Sequence, residues 1–135
     1  MTPAERDRFD ALVERVIECQ PPPIRRLLES VSVVVLDRPT PDLLAGLDDA
    51  DAREDPDSIC GLHSGHAITE RSVDQSGDLP SQIHLFRNGI VDLAGGWEGS
   101  DAEERIADEI RITLLHELGH EMGLDEDDLY NLGYD

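Results

Sequence analysis

Thr113-Leu114-Leu115-His116-Glu117-Leu118-Gly119-His120-Glu121-Met122-Gly123-Leu124-Asp125-Glu126-Asp127-Asp128 is the stretch that decides how this chain reads. It contains His116-Glu117-Leu118-Gly119-His120, an H-E-x-x-H motif. On an α-helix His116 and His120 lie one turn apart on one face, close enough for both imidazoles to bind one zinc ion. Glu117 is the next residue round the helix and could hold or deprotonate a metal-bound water.

Upstream, Ile106, Ile110, Leu114 and Leu118, with Ala107 alongside, recur at the spacing of one buried helical stripe. Ser100-Asp101-Ala102-Glu103 reads as a capping box that starts this helix, and Gly123 as its stop. His116 and His120 flank the stripe rather than lying within it. A catalytic zinc usually takes three protein ligands and a water. Residues 121–135 are too few to carry a distant ligand on a second long helix, so the third ligand is expected close to Gly123. Glu126 lies six residues past His120, where compact zinc proteases of the metzincin type place a third histidine, and is the first choice. Asp125 and Asp127 are rivals, because helix exits are uncertain by a residue. No methionine follows Met122, so there is no Met-turn, and the metzincin comparison ends there.

The 135 residues fit one domain with a core that needs no disulfides. Thirty-one acidic residues against 11 basic ones give a net charge of −20. Such a surface repels nucleic acid and anionic lipid, so neither is expected as a partner. No apolar run approaches the roughly 20 residues that span a bilayer. The start, Met1-Thr2-Pro3-Ala4-Glu5-Arg6-Asp7, lacks the basic and apolar parts of a signal peptide. Cys19 and Cys60 make no disulfide framework. The expectation is a cytoplasmic monomer with reduced thiols.

Outward from the motif, Thr2-Pro3-Ala4-Glu5 opens a first helix by a capping box. Phe9, Leu12, Val13, Val16 and Ile17 form its apolar face, and Pro21-Pro22-Pro23 stops it. One or two helical turns are expected from Ile24 to Ser30. Val31-Ser32-Val33-Val34-Val35-Leu36 reads as a buried strand. Residues 42–57 are acidic and read as a flexible surface loop with at most a helical turn. The glycine-rich run from Ile59 to Ile68 has strand-like flanks and carries His63 and His66. In an extended segment those two face opposite sides, so a shared metal is not expected. Gln82-Ile83-His84-Leu85-Phe86-Arg87 alternates as a strand, and Asn88-Gly89 reads as a hairpin turn leading to Ile90-Val91-Asp92-Leu93. Trp97, in a glycine-rich connector, is expected to anchor that loop over the core.

Several of these blocks carry a resemblance. Gly61-Leu62-His63-Ser64-Gly65, Ile68-Thr69-Glu70-Arg71-Ser72-Val73-Asp74, Leu79-Pro80-Ser81-Gln82-Ile83-His84-Leu85-Phe86-Arg87 and the run from Thr113 to Leu129 occur in an order that resembles the small bacterial zincin-like metallopeptidase family. The resemblance spans most of the chain after residue 25. Its departures are a longer acidic insert after Asp42 and the acidic balance itself. It implies an α+β minimal zincin fold, with a small mixed sheet, an active-site helix and a few packing helices, as one domain over residues 1–135. It also implies zinc at His116 and His120 with Glu117 as catalytic base.

The expected activity is hydrolysis of peptide bonds by a zinc-activated water, with Glu117 taking its proton and a peptide or protein as substrate. His63, His66 and Arg71 are candidate oxyanion donors. The strand at residues 83–87 is a candidate edge for substrate pairing. Two imidazoles and a carboxylate suit zinc among first-row metals. The alternative is a non-catalytic metal-binding or interaction domain that keeps the fold. A purely structural zinc fits poorly, because such sites are usually rich in cysteine and neither cysteine is near the motif.

Overall fold

The computed structural model describes residues 1–45, 55–64, 82–122 and 127. Among these residues five α-helices and a three-stranded mixed sheet form an α+β fold. The helices are α1 (Pro3–Glu18), α2 (Pro22–Glu29), α3 (Pro41–Ala45), α4 (Arg87–Ala94) and α5 (Ala102–Glu121). The strands are β1 (Ser32–Leu36), β2 (Gly61–Ser64) and β3 (Gln82–Phe86), and a 3₁₀ turn spans Pro56–Ser58.

Helix α1 forms as its first residues dictate. Thr2 Oγ1 accepts from the Glu5 amide at 3.1 Å, and the Thr2 amide donates to Glu5 Oε1 at 3.0 Å. The proline run does more than stop α1, because Pro22 occupies the first turn of α2, where a missing N–H costs nothing. Residues 46–54 of the acidic stretch lie outside the described residues. Its flanks are the short α3 and the 3₁₀ turn.

In the sheet, β3 is central. It pairs parallel with β1, Val33 opposite Ile83, and antiparallel with β2, His63 opposite Ile83 and Gly61 opposite Leu85. The strand at residues 83–87, expected as a possible substrate edge, is therefore interior; among the described residues β1 and β2 are the outer strands. Ile83 and Leu85 enter the main core with Phe9, Leu12, Val13 and Val16 of α1, Ile90 and Val91 of α4, and Ile106, Ile110, Leu114 and Leu118 of α5. His84 and Phe86 point from the other face, stacked with ring centroids 6.2 Å apart, and both are buried. Burial holds the His84 pKa below its ordinary value, which favours the neutral ring.

Two local readings are corrected. Asn88 and Gly89 do not make a hairpin turn; they lie in the first turn of α4. A Cβ on Gly89 would stand 2.2 Å from the Ile59 carbonyl oxygen, so the glycine is required by the close crossing of α4 and the segment before β2. The expected capping box at the start of α5 is not made either. Asp101 is the N-cap residue but gives no side-chain cap, because its carboxylate is engaged by Arg105 one turn on. Arg105 also donates to the carbonyls of Ala94 at 2.9 Å and Glu98 at 2.8 Å, fastening the connector to α5. Within that connector Trp97 packs on the core, with the Arg8 guanidinium 4.5 Å from its ring centroid, as an anchor.

Candidate metal centre

The long helix α5 presents the site. Its buried stripe is drawn into the core, with Ile106, Ile110 and Leu114 fully buried, and this fixes the helix about its axis. The rotation leaves His116 and His120 half-buried on the flank, as the spacing requires. Their Nε2 atoms approach to 3.2 Å, with the rings edge to face at 78°. Two nitrogens held about 2.0–2.1 Å from one tetrahedral metal stand roughly 3.3 Å apart. The observed separation therefore matches a pair of imidazoles converging on one ion. A Glu117 carboxylate oxygen joins them, all three donor atoms lying within 4.8 Å of one another.

Strand β2 closes one side of this group, and Gly61 makes the approach possible. A Cβ there would stand 2.6 Å from Thr113 Cγ2, 3.2 Å from the His84 carbonyl oxygen and 3.3 Å from Glu117 Cγ. The strand backbone thus lies directly against the helix face that carries Glu117.

Further along β2, His63 meets Glu121. The His63 Nε2 to Glu121 Oε2 distance is 2.5 Å, and Glu121 is fully buried. This contact joins residues 58 positions apart and ties β2 to the last turn of α5, beside His120. The H-E-x-x-H motif does not itself point to Glu121. The signal was present, since Glu121 continues the stripe Ile110, Leu114, Leu118 by three residues, and a carboxylate on an apolar face needs a partner there.

Of the residues picked out by sequence, His116, Glu117 and His120 are brought together. Glu126, the first choice for a third ligand, and Asp125 lie outside the described residues, as do His66 and Arg71. Asp127 is described and exposed. His63 belongs to the surroundings of the site through Glu121, whereas His84 is buried on the other face of the sheet.

The fold and the converging H-E-x-x-H group point to one family, and a comparison with family profiles agrees: that of the zincin-like metallopeptidases matches residues 28–134. The chain belongs to the zincin-like metallopeptidase family. The match takes in β1, the whole described sheet, and α5 with His116 and His120, leaving α1 and the start of α2 outside. No curated protein matches the chain. A zincin-like fold implies a bound metal ion, and the donor set here suits one: two imidazole nitrogens at metal-bridging distance and a carboxylate beside them. Among the described residues no helix is long and apolar enough to cross a membrane.

Beside the group is a cavity of about 250 Å³, with His116 and Glu117 on its wall. Cys60 also borders it. Burial, then the nearby charges of Glu109 and Asp92, push the Cys60 thiol up to about 11, so it is a protonated wall group and no nucleophile.

Proposed function

We propose that the protein is a zinc-dependent peptide hydrolase. The observation that carries this reading is the 3.2 Å approach of His116 and His120 Nε2, with Glu117 beside them, on a helix flank that borders a cavity. His116 and His120 would hold the ion, and Glu126 remains the choice for a third ligand on spacing alone. Zinc bound there would acidify a water and polarise a peptide carbonyl.

The chain's own residues supply the rest. Glu117 takes the proton of the attacking water and returns it to the nitrogen of the departing amine, so no proton is lost to solvent between the two steps. The glycine at position 61 leaves room for the Glu117 stem, since a Cβ there would stand 3.3 Å from Glu117 Cγ. His63, through Glu121, steadies the helical turn that carries His120.

The test combines metal content with turnover. Elemental mass spectrometry of purified wild type should find about one zinc per chain, lost in His116→Ala. Glu117→Gln should keep the metal and lose hydrolysis of a mixed peptide library by at least about a hundredfold. No zinc in wild type after it is added back would overturn the reading. Zinc retained with no cleavage by wild type would leave a metal-binding interaction domain.

A further inference from the structure

The cavity beside His116 and Glu117 is a trough with one charged wall. Leu93 of α4 and Ile112 of α5 contribute its apolar surface. Leu93 is 64% exposed, the one large hydrophobic side chain among the described residues left open to solvent. A lone exposed leucine is ordinary on a surface; one that borders a cavity touching the candidate catalytic carboxylate is placed to contact a ligand.

Glu109 stands at the same cavity, two helical turns before His116 and so about 10 Å along the axis from it. Arg6, Arg8, Arg38, Arg87 and Arg105 are all matched to carboxylates elsewhere in the chain. Glu109 makes no such pair among the described residues. Among these residues its charge therefore faces the trough without an ion-pair partner, and Asp92 adds to the negative field felt at Cys60.

We propose that this trough is the side-chain pocket next to the reacting peptide bond and that it takes arginine or lysine. The aliphatic stem lies on Leu93 and Ile112, and the cationic head meets Glu109. The shape of such a residue, apolar along its length and charged at the tip, matches the order of groups along the wall. A carboxylate-bearing side chain would meet Glu109 with like charge, and a short apolar one would leave Glu109 without compensation. The assignment of the pocket to a peptide rests on the hydrolase reading; its preference for a cation can be measured without turnover.

The probes are the peptides acetyl-Ala-Ala-Xaa-Ala-Ala-amide with arginine, lysine, leucine or glutamate at Xaa. They are titrated by NMR into full-length Glu117→Gln protein equilibrated with zinc, at about 0.15 M salt so that long-range attraction is screened. The arginine and lysine peptides should bind about tenfold tighter than the leucine peptide, with the glutamate peptide weakest. Adding Glu109→Gln should shrink the cation preference to within about twofold. That variant changes only one charge of a net −20, so a preference arising from overall acidity would survive it.

Equal binding of leucine and arginine peptides, a preference that persists in the Glu109→Gln background, or no binding of any peptide would each overturn the proposal. Cleavage by wild type is scored separately. Selective binding with no cleavage would fail the hydrolase reading and leave the pocket standing, whereas cleavage indifferent to arginine and lysine would do the reverse.

Discussion

Replacing Gly61 by alanine tests how β2 is seated on α5. The new Cβ would lie 2.6 Å from Thr113 Cγ2, about 1 Å inside ordinary carbon–carbon contact. Strand β2 cannot simply retreat, because it is paired to β3 from Gly61 to Ser64 and held to α5 by the His63–Glu121 contact. Overpacking of this kind costs about 2 kcal/mol, within the usual range of 1–3. Thr113→Ser removes the methyl that would be struck and costs about 1 kcal/mol on its own, for one buried methyl group.

Were the two effects independent, the double variant would lose about 3 kcal/mol. If the methyl is the obstacle, the double variant should lose only about 1–1.5 kcal/mol, a residue of the 3.2 and 3.3 Å contacts with the His84 carbonyl and Glu117 Cγ. Urea unfolding followed by the fluorescence of Trp97, the single tryptophan, supplies all four corners of the cycle. Additivity to within about 0.5 kcal/mol would refute the close-approach argument.

Two other expectations concern titration and reactivity. Asp37 accepts from Arg6 at 2.7 Å and from Arg87 at 3.0 Å, and Arg6 first, then Arg87, holds its pKa below the ordinary 3.8. As pH falls the unfolded chain takes up this proton before the folded one, so the stabilisation is complete above the ordinary value and fades below it. Asp37→Asn should therefore cost about 1 kcal/mol at pH 7, and its gap from wild type should narrow as pH drops below about 4; a gap independent of pH would count against the ion pairs. With a thiol reagent at pH 8, exposed Cys19 should react first and Cys60, at about 11, at least tenfold more slowly, the two rates converging in denaturant. Equal rates in the native protein would contradict the buried setting of Cys60.

The sequence by itself determined what depends on near neighbours in the chain. The recurrence of Ile106, Ile110, Leu114 and Leu118 defines the face of α5 that is buried, and the spacing of His116 and His120 then sets both rings on its flank. Thr2 and Glu5 cap α1 because the three-residue spacing is itself the geometry of the cap. The same reasoning fails where another group competes for the side chain or the space. Ser100 and Glu103 have the spacing of a capping box, but the helix begins one residue later, with Asp101 at the N-cap and its carboxylate engaged by Arg105. Asn88-Gly89 has the composition of a turn, but the α4 helix runs through it and the glycine meets Ile59, some thirty residues back in the chain.

Tertiary structure alone decided the surroundings of the candidate metal centre. Gly61 lies against Thr113 and Glu117, and His63 reaches the buried Glu121, across separations of more than fifty residues. Local spacing cannot encode such contacts, because they depend on which sheet edge β2 occupies and on the side of β2 that faces α5. Once β2 pairs with β3 so that Gly61 stands opposite Leu85, the alternation of the strand turns Gly61 and His63 together toward the helix. A shift of one residue in that register would present Leu62 instead and remove both contacts.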